Sequence, residues 1–184
     1  MNTKMSAGKI IENETYFLRE NVTGAENRGC RFECSFGSET AHFTFDVEDA
    51  EIVSPFCKDN EDIWQGDAVE VFLSPDGKPM RYLEMEVSPF GVRFFGEISF
   101  VGETRSLKKL PPPFSAETVR SEEGYSVRIC LPLSGLESFD RDKMKLNAFR
   151  LDKCGNGEQK LYALSPTYCN TFHKPQYFLS VNNK

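Results

Sequence analysis

The chain has 184 residues, of which 22 are basic and 28 acidic, so its formal net charge is −6. This length suits one domain with a core large enough to fold unaided, and the acidic balance argues against nucleic acid, whose phosphates attract basic surfaces. No apolar run approaches the roughly 18 residues of a membrane-spanning helix, so no membrane partner is expected. The 16 phenylalanines and 6 tyrosines favour β-structure over a helical bundle.

The first 21 residues contain no apolar stretch of signal-peptide type, which predicts a cytoplasmic protein. The alternative is a secreted protein from which a signal has been removed. The six cysteines are predicted to be free thiols, because Cys34 and Cys130 fall in strand-like segments where a thiol acts as a small hydrophobe. No C-x-x-C pair points to zinc.

Residues 1–27 are polar and are predicted to form an N-terminal extension or an edge strand around residues 15–18. Residues 31–36 and 41–47 each alternate apolar and polar side chains, which predicts a β-hairpin. An acidic segment follows at residues 46–62. We interpret it as a solvated loop. The alternative is a calcium loop, although no EF-hand spacing identifies its ligands, so the metal ligands stay unknown.

A second hairpin is predicted from residues 68–73 and 82–87, which alternate on either side of a turn. If their apolar residues point inward, Glu70, Glu84 and Glu86 share the opposite face. Trp64, the only tryptophan, comes just before that face. An aromatic ring beside carboxylates suits a sugar, because the ring covers the C–H face of a pyranose and the carboxylates accept hydrogen bonds from its hydroxyls.

The second half of the chain continues the strand pattern. Residues 92–100 form a predicted strand with a bulge at Gly96, and residues 107–114 carry three prolines that predict a stiff connection. Further strands are expected at 125–131, 146–151, 161–164 and 177–181, with one short helical turn within 132–139. This predicts a single all-β domain over residues 1–184, an antiparallel β-sandwich of jelly-roll or immunoglobulin-like type with little helix. Each sheet is expected to have one buried and one open face.

Six motifs in this order resemble the family 9 carbohydrate-binding modules that are found attached to xylanases. The two longest are WQGDAVEVFLSPDG at residues 64–77 and YLEMEVSPFG at residues 82–91. The others are GYSV at 124–127, LNAFR at 146–150, LYALSP at 161–166 and FHKPQYF at 172–178. The resemblance covers about residues 43–178.

The resemblance implies roles for individual residues. Trp64 stands where family members have an aromatic residue that stacks on the sugar. Phe172 stands in the loop that carries a second sugar-facing aromatic residue, usually tryptophan. Glu70 occupies a position that hydrogen-bonds the ligand. Some members have arginine and asparagine at the positions of Glu84 and Glu86, so this chain departs from the family there.

Three like charges on one face imply a missing partner, which could be an arginine, a cation or the hydroxyls of a sugar. Arg150 is kept as a further ligand-binding candidate. We expect non-catalytic binding of a mono- or oligosaccharide of the xylan or glucan type, or of its reducing end. One alternative is an endo-xylanase-like glycoside hydrolase that uses a pair of carboxylates. Another is a structural or interaction sandwich without an open sugar site, which a buried Trp64 would favour. No cofactor is predicted beyond the structural calcium that some family members bind.

Overall fold

The computed structural model describes residues 8–182. Two β-sheets account for about half of this range, and three 3₁₀ turns, at Ile63–Gln65, Leu133–Gly135 and Pro175–Tyr177, are its only helical elements. None of the described residues lies in a helix long and apolar enough to span a membrane. The strands are β1 (Lys9–Ile11), β2 (Tyr16–Phe17), β3 (Arg19–Glu20), β4 (Cys30–Phe36), β5 (Thr40–Glu48), β6 (Ala68–Ser74), β7 (Arg81–Val87), β8 (Arg93–Val101), β9 (Thr104–Lys109), β10 (Ser115–Ser121), β11 (Gly124–Pro132), β12 (Lys145–Lys153), β13 (Gln159–Ala163) and β14 (Leu179–Asn182).

The larger sheet has nine strands in the order β1-β14-β12-β6-β7-β8-β9, with β13 paired to β12 and β3 paired to β13. The smaller sheet has five strands in the order β10-β11-β5-β4-β2. The predicted all-β sandwich is confirmed, with one parallel pair, β1 with β14, among antiparallel neighbours. Of the polar segment 1–27, residues 1–7 lie outside the described range and the rest supplies three short strands.

The main core lies between the two sheets and is built from the residues that alternate inward. Both predicted hairpins are confirmed, as β4 with β5 and as β6 with β7. In the first, Phe32 lies opposite Phe45, with the ring centroids 5.0 Å apart. In the second, Val71 lies opposite Met85, and both are fully buried. Burial of each such side chain stabilises the fold by about 1.5–3 kcal/mol.

The outer face of the larger sheet is also covered, so the expectation of one open face per sheet is wrong here. Phe72, Tyr82 and Phe149 lie on this face and are buried in a second apolar cluster. Its cover comes from the turn at Ile63–Gln65 and from residues 167–178. Carboxylates on this face therefore lie beneath loops rather than in solvent.

Gly96 does not form the predicted bulge, because β8 keeps one register on both sides, with Gly96 opposite Glu84 and Lys109. A Cβ at this position would lie 2.5 Å from Leu107 Cδ1, so the glycine allows the Leu107 side chain to pack across the strand. Strands β9 and β10 were not predicted. Every residue of β9 is exposed, and an exposed edge strand has no apolar alternation to reveal it.

Candidate functional site

A cleft of about 330 Å³ lies over the outer face of the larger sheet. Four of the predicted site residues line it: Trp64, Glu70, Glu84 and Phe172. The other polar residues of the lining are Arg105, Gln159, Asn170, Thr171 and His173. The cleft thus brings together side chains from the Trp64 turn, from β6, β7, β9 and β13, and from the loop before β14.

The three glutamates share one face of the β6–β7 hairpin, as predicted. Glu70 lies directly opposite Glu86, and Glu84 lies opposite Phe72, one position further along the same face. Glu70, Glu84 and Glu86 are only 2%, 6% and 0% exposed, so they are not solvated carboxylates. Glu70 and Glu84 reach the cleft, and neither of their Oε2 atoms has a hydrogen-bond partner. Glu86 lies beside them and does not line the cleft.

This burial changes the protonation of all three groups. Burial raises the pKa of Glu84 from an ordinary 4.5 to about 7, against the opposing effects of a hydrogen bond with Glu86 and of the Arg105 charge. Burial also raises the pKa of Glu70, and the negative charge of Glu84 raises it further. The pKa of Glu86 is raised by burial first and then by the charges of Glu70 and Glu84. Below about pH 7 the Glu84 carboxyl therefore keeps its proton, and it can then donate as well as accept hydrogen bonds.

Trp64 reaches the cleft from a tight 3₁₀ turn that follows the acidic segment. The turn ends at Gly66, where a Cβ would lie 2.7 Å from the Val53 carbonyl oxygen, so a larger residue would not fit. Gln159 Nε2 donates to the Trp64 carbonyl oxygen at 2.7 Å and fixes the turn against β13. The indole packs edge-on against Phe94, with ring centroids 5.2 Å apart, and stays partly exposed.

The opposite wall of the cleft is a loop that is held by residues distant in sequence. The buried amide of Asn21 donates to Thr167 Oγ1 at 2.8 Å and to the Cys169 carbonyl at 2.7 Å. At the other end of the loop, His173 Nδ1 lies 2.7 Å from the Tyr82 hydroxyl, and the imidazole stacks on Phe72. Because both ends of the loop are fixed, its side chains are positioned over the sheet.

Phe172 forms a wall rather than a free platform. Its ring stacks nearly parallel on Phe149, with centroids 4.2 Å apart and planes 19° from parallel. One ring face is therefore covered, and the residue is only 6% exposed. Trp64 is the more accessible of the two predicted aromatic residues.

The sequence profile described as carbohydrate family 9 binding domain-like matches residues 13–182. The chain belongs to this family. A search of curated protein sequences finds no match.

Solved structures of family 9 modules have the same fold. A module from Caldicellulosiruptor kristjanssonii in complex with cellotriose is 14% identical, covers 96% of this chain and 92% of its own, and superposes with a TM-score of 0.66. A family 9 module from the same organism in complex with glucose is 13% identical, covers 96% of this chain and 95% of its own, and superposes with a TM-score of 0.67. A candidate carbohydrate-binding protein from Bacteroides uniformis ATCC 8492 is 19% identical, covers 93% of this chain and 86% of its own, and superposes with a TM-score of 0.74.

Arg150 lies apart from the cleft, contrary to its selection as a ligand-binding residue. It alternates with Phe149 and Leu151, which face the cleft side of the sheet, so its side chain points to the inner side. There its guanidinium lies 3.3 Å from Asp49 and 3.6 Å from Asp152, and it is 4% exposed. Arg150 therefore ties the acidic segment to β12 at one end of the sandwich.

The same end of the sandwich contains the only described group of carboxylates that converges as metal ligands do, Asp49, Asp67 and Asp152. Both Asp67 oxygens accept backbone hydrogen bonds, from Val53 and Lys153, and Arg150 supplies a positive charge to the other two carboxylates.

Several residues of the cleft carry no signal in the sequence that predicts them. Arg105 lies on the exposed strand β9, and Gln159 begins β13, so neither belonged to an informative pattern. In the sequence His173 is an isolated histidine without a metal-ligand spacing. Its position next to Phe172 was the one signal that could have placed it in the cleft.

Proposed function

We propose that the cleft binds a mono- or oligosaccharide of the glucan or xylan type without cleaving it. The observation that carries this proposal is the meeting of a partly exposed Trp64 with Glu70 and Glu84 in one cleft. A volume of about 330 Å³ is at the small end of ligand pockets, which suits the end of a chain, including a reducing end. Family membership and the glucose and cellotriose complexes of similar modules support a glucan ligand.

The two sides of the cleft would serve different parts of the sugar. The partly exposed indole of Trp64 offers an apolar surface to the C–H face of a pyranose. The carboxyls of Glu70 and Glu84 offer their unpartnered Oε2 atoms to its hydroxyls. A bound hydroxyl would satisfy a buried polar atom that is unpaired in the free protein, and each such bond is worth about 0.5–1.5 kcal/mol.

A larger cavity of about 510 Å³ lies elsewhere, lined by Arg81, Glu97, Glu137 and prolines of the 111–113 segment. Its Arg81 forms ion pairs with both Glu97 and Glu137. Arg81, Glu97 and Glu137 thus satisfy one another, whereas Glu70 and Glu84 in the Trp64 cleft each keep an unpartnered oxygen. Size alone therefore does not make it the better sugar site.

Glycoside hydrolysis is the second candidate, and the pKa of Glu84 is the observation that favours it. A buried carboxyl with a pKa of about 7 has the character of a general acid. Hydrolysis, however, needs two carboxyls that flank the scissile bond. Glu70, Glu84 and Glu86 all project from one face of a single hairpin, which is the arrangement of a binding floor.

Calorimetric titration with cellotriose, glucose and xylose tests binding, with quenching of Trp64 fluorescence as an independent signal. Saturable binding that is lost in Trp64→Ala is the expected result. Absence of binding to all three sugars would refute the proposal. Release of reducing ends from cello- or xylo-oligosaccharides, abolished by Glu84→Gln, would show that the second candidate is correct.

A further inference from the structure

We propose that the cleft prefers a sugar that carries a charged amino group, such as a 2-amino-2-deoxyhexose, over the corresponding neutral sugar. This inference rests on the proposed function and concerns the same cleft. It starts from the two buried Oε2 atoms, of Glu70 and Glu84, which have no partner in the protein.

The number of available donors favours an ammonium group over a hydroxyl. A sugar hydroxyl donates one proton, whereas an ammonium donates three and adds a positive charge. Glu70 and Glu84 lie on the same face of neighbouring strands. Glu84 is next on that face to Glu86, the residue directly opposite Glu70, so a single ammonium between Glu70 and Glu84 could serve both. Hydrogen bonds that join two charged groups are about twice as strong as neutral ones.

The charge balance of the cleft points the same way. Arg105 is the only cationic side chain in the lining, against the carboxyls of Glu70 and Glu84, with Glu86 beside them. Lys109, which lies 5.3 Å from the Trp64 ring, is already paired with Asp62 at 2.8 Å. A cationic ligand would therefore supply the positive charge that these carboxyls lack when they ionise.

A metal ion fits these carboxylates less well. Among the described residues, Asp49, Asp67 and Asp152 form the only group of three whose ligand oxygens lie within 4.8 Å of one another, so the three glutamates do not converge as a metal-ligand set. An ammonium group needs fewer partners, and the Oε2 atoms of Glu70 and Glu84 would be enough. In addition, Trp64 at the edge of the cleft supplies the surface that the sugar ring needs.

Proton release distinguishes this binding mode from a neutral one. The raised pKa of Glu84 means that its carboxyl holds a proton in the free protein at about pH 6, where a sugar amine is charged. Binding of the ammonium would ionise that carboxyl, and the proton would pass to the buffer. Binding of a neutral sugar would leave the proton in place.

The test compares glucosamine with glucose by calorimetry at about pH 6, in two buffers of different ionisation enthalpy. We expect glucosamine to bind about tenfold more tightly, because two charge-assisted hydrogen bonds in place of neutral ones favour it about 100-fold, and ionising Glu84 one pH unit below its pKa costs about tenfold of this. The heat of glucosamine binding should depend on the buffer, and that of glucose should not. In Glu84→Gln the affinity ratio should fall towards one, whereas in Glu117→Gln, an exposed carboxylate on β10, it should stay unchanged.

The possible outcomes separate the two proposals. If glucose binds and glucosamine binds equally or more weakly, the inference is overturned while the proposed function stands. If glucosamine, glucose and cellotriose all fail to bind, both are overturned. A preference for glucosamine that survives in both Glu84→Gln and Glu70→Gln would also overturn the inference, because the charge would then be recognised elsewhere.

Discussion

Replacing Glu84 with glutamine should stabilise the protein above neutral pH. The folded protein raises the pKa of this carboxyl from 4.5 to about 7, so it binds the proton more tightly than the unfolded chain does. The stability that comes from the protonated group is fully present below about pH 4.5 and is lost as the pH rises through about 7. One pH unit corresponds to about 1.36 kcal/mol, so the whole interval corresponds to about 3 kcal/mol.

The glutamine variant keeps the shape of the side chain and cannot ionise, so it should not lose this stability. Urea unfolding between about pH 4 and pH 8 measures the free energy of unfolding of both proteins. Their difference should grow by about 3 kcal/mol in favour of Glu84→Gln across that range. Asp67, whose pKa burial raises to about 6, contributes to both curves and cancels in the difference. Glu70 and Glu86 lose a repelling neighbour in the variant, which adds to the effect in the same direction.

Glu117→Gln is the matched control, because it removes a carboxylate from an exposed position on β10 in the other sheet. Its curve should run parallel to that of the wild type. If the Glu84→Gln curve is also parallel to the wild type, the carboxyl ionises without cost in the folded protein. The reasoning about the cleft floor would then be wrong, and so would the proton release expected for an amino sugar.

Trp64→Ala should abolish sugar binding, whereas Tyr168→Ala, which removes a 59% exposed aromatic residue outside the cleft, should bind like the wild type in the same titration. Gly77→Ala should reduce the free energy of unfolding more than Gly157→Ala, as measured with urea. Both glycines have positive φ, which costs alanine about 1–2 kcal/mol, but only at Gly77 would the new Cβ also lie 2.1 Å from the Lys143 carbonyl. Thiol titration under denaturing, non-reducing conditions should count six free cysteines, and a count of two or fewer would contradict the free thiols shown by the fold.

The hairpin β6–β7 shows what the sequence could predict. Alternation places every second residue on one face, so the common face of Glu70, Glu84 and Glu86 followed from spacing alone. The same rule places Arg150 on the face of Ala148 and not on that of Phe149, but spacing alone does not say which face is the inner one. In the structure Arg150 lies on the inner face.

The burial of the glutamates could not be predicted in this way. Alternation indicates which face a residue occupies, but not whether that face is covered. The cover depends on contacts between residues far apart in sequence, such as Asn21 with Thr167 and Tyr82 with His173. Neither pair has a local pattern, so the outer face of the larger sheet was expected to be open.

The cover explains how one group of carboxyls can serve both proposals. Loops over the outer face remove water from Glu70, Glu84 and Glu86, and this loss of water raises the pKa of all three carboxyls and so favours their protonated form. In that form they match the hydroxyls of a neutral sugar. An ammonium group would instead favour the ionised carboxylate, which burial alone disfavours. The cost of ionising Glu84 in the empty cleft and the proton released by a charged ligand are therefore two measurements of the same linkage, and they should agree in sign and in their dependence on Glu84.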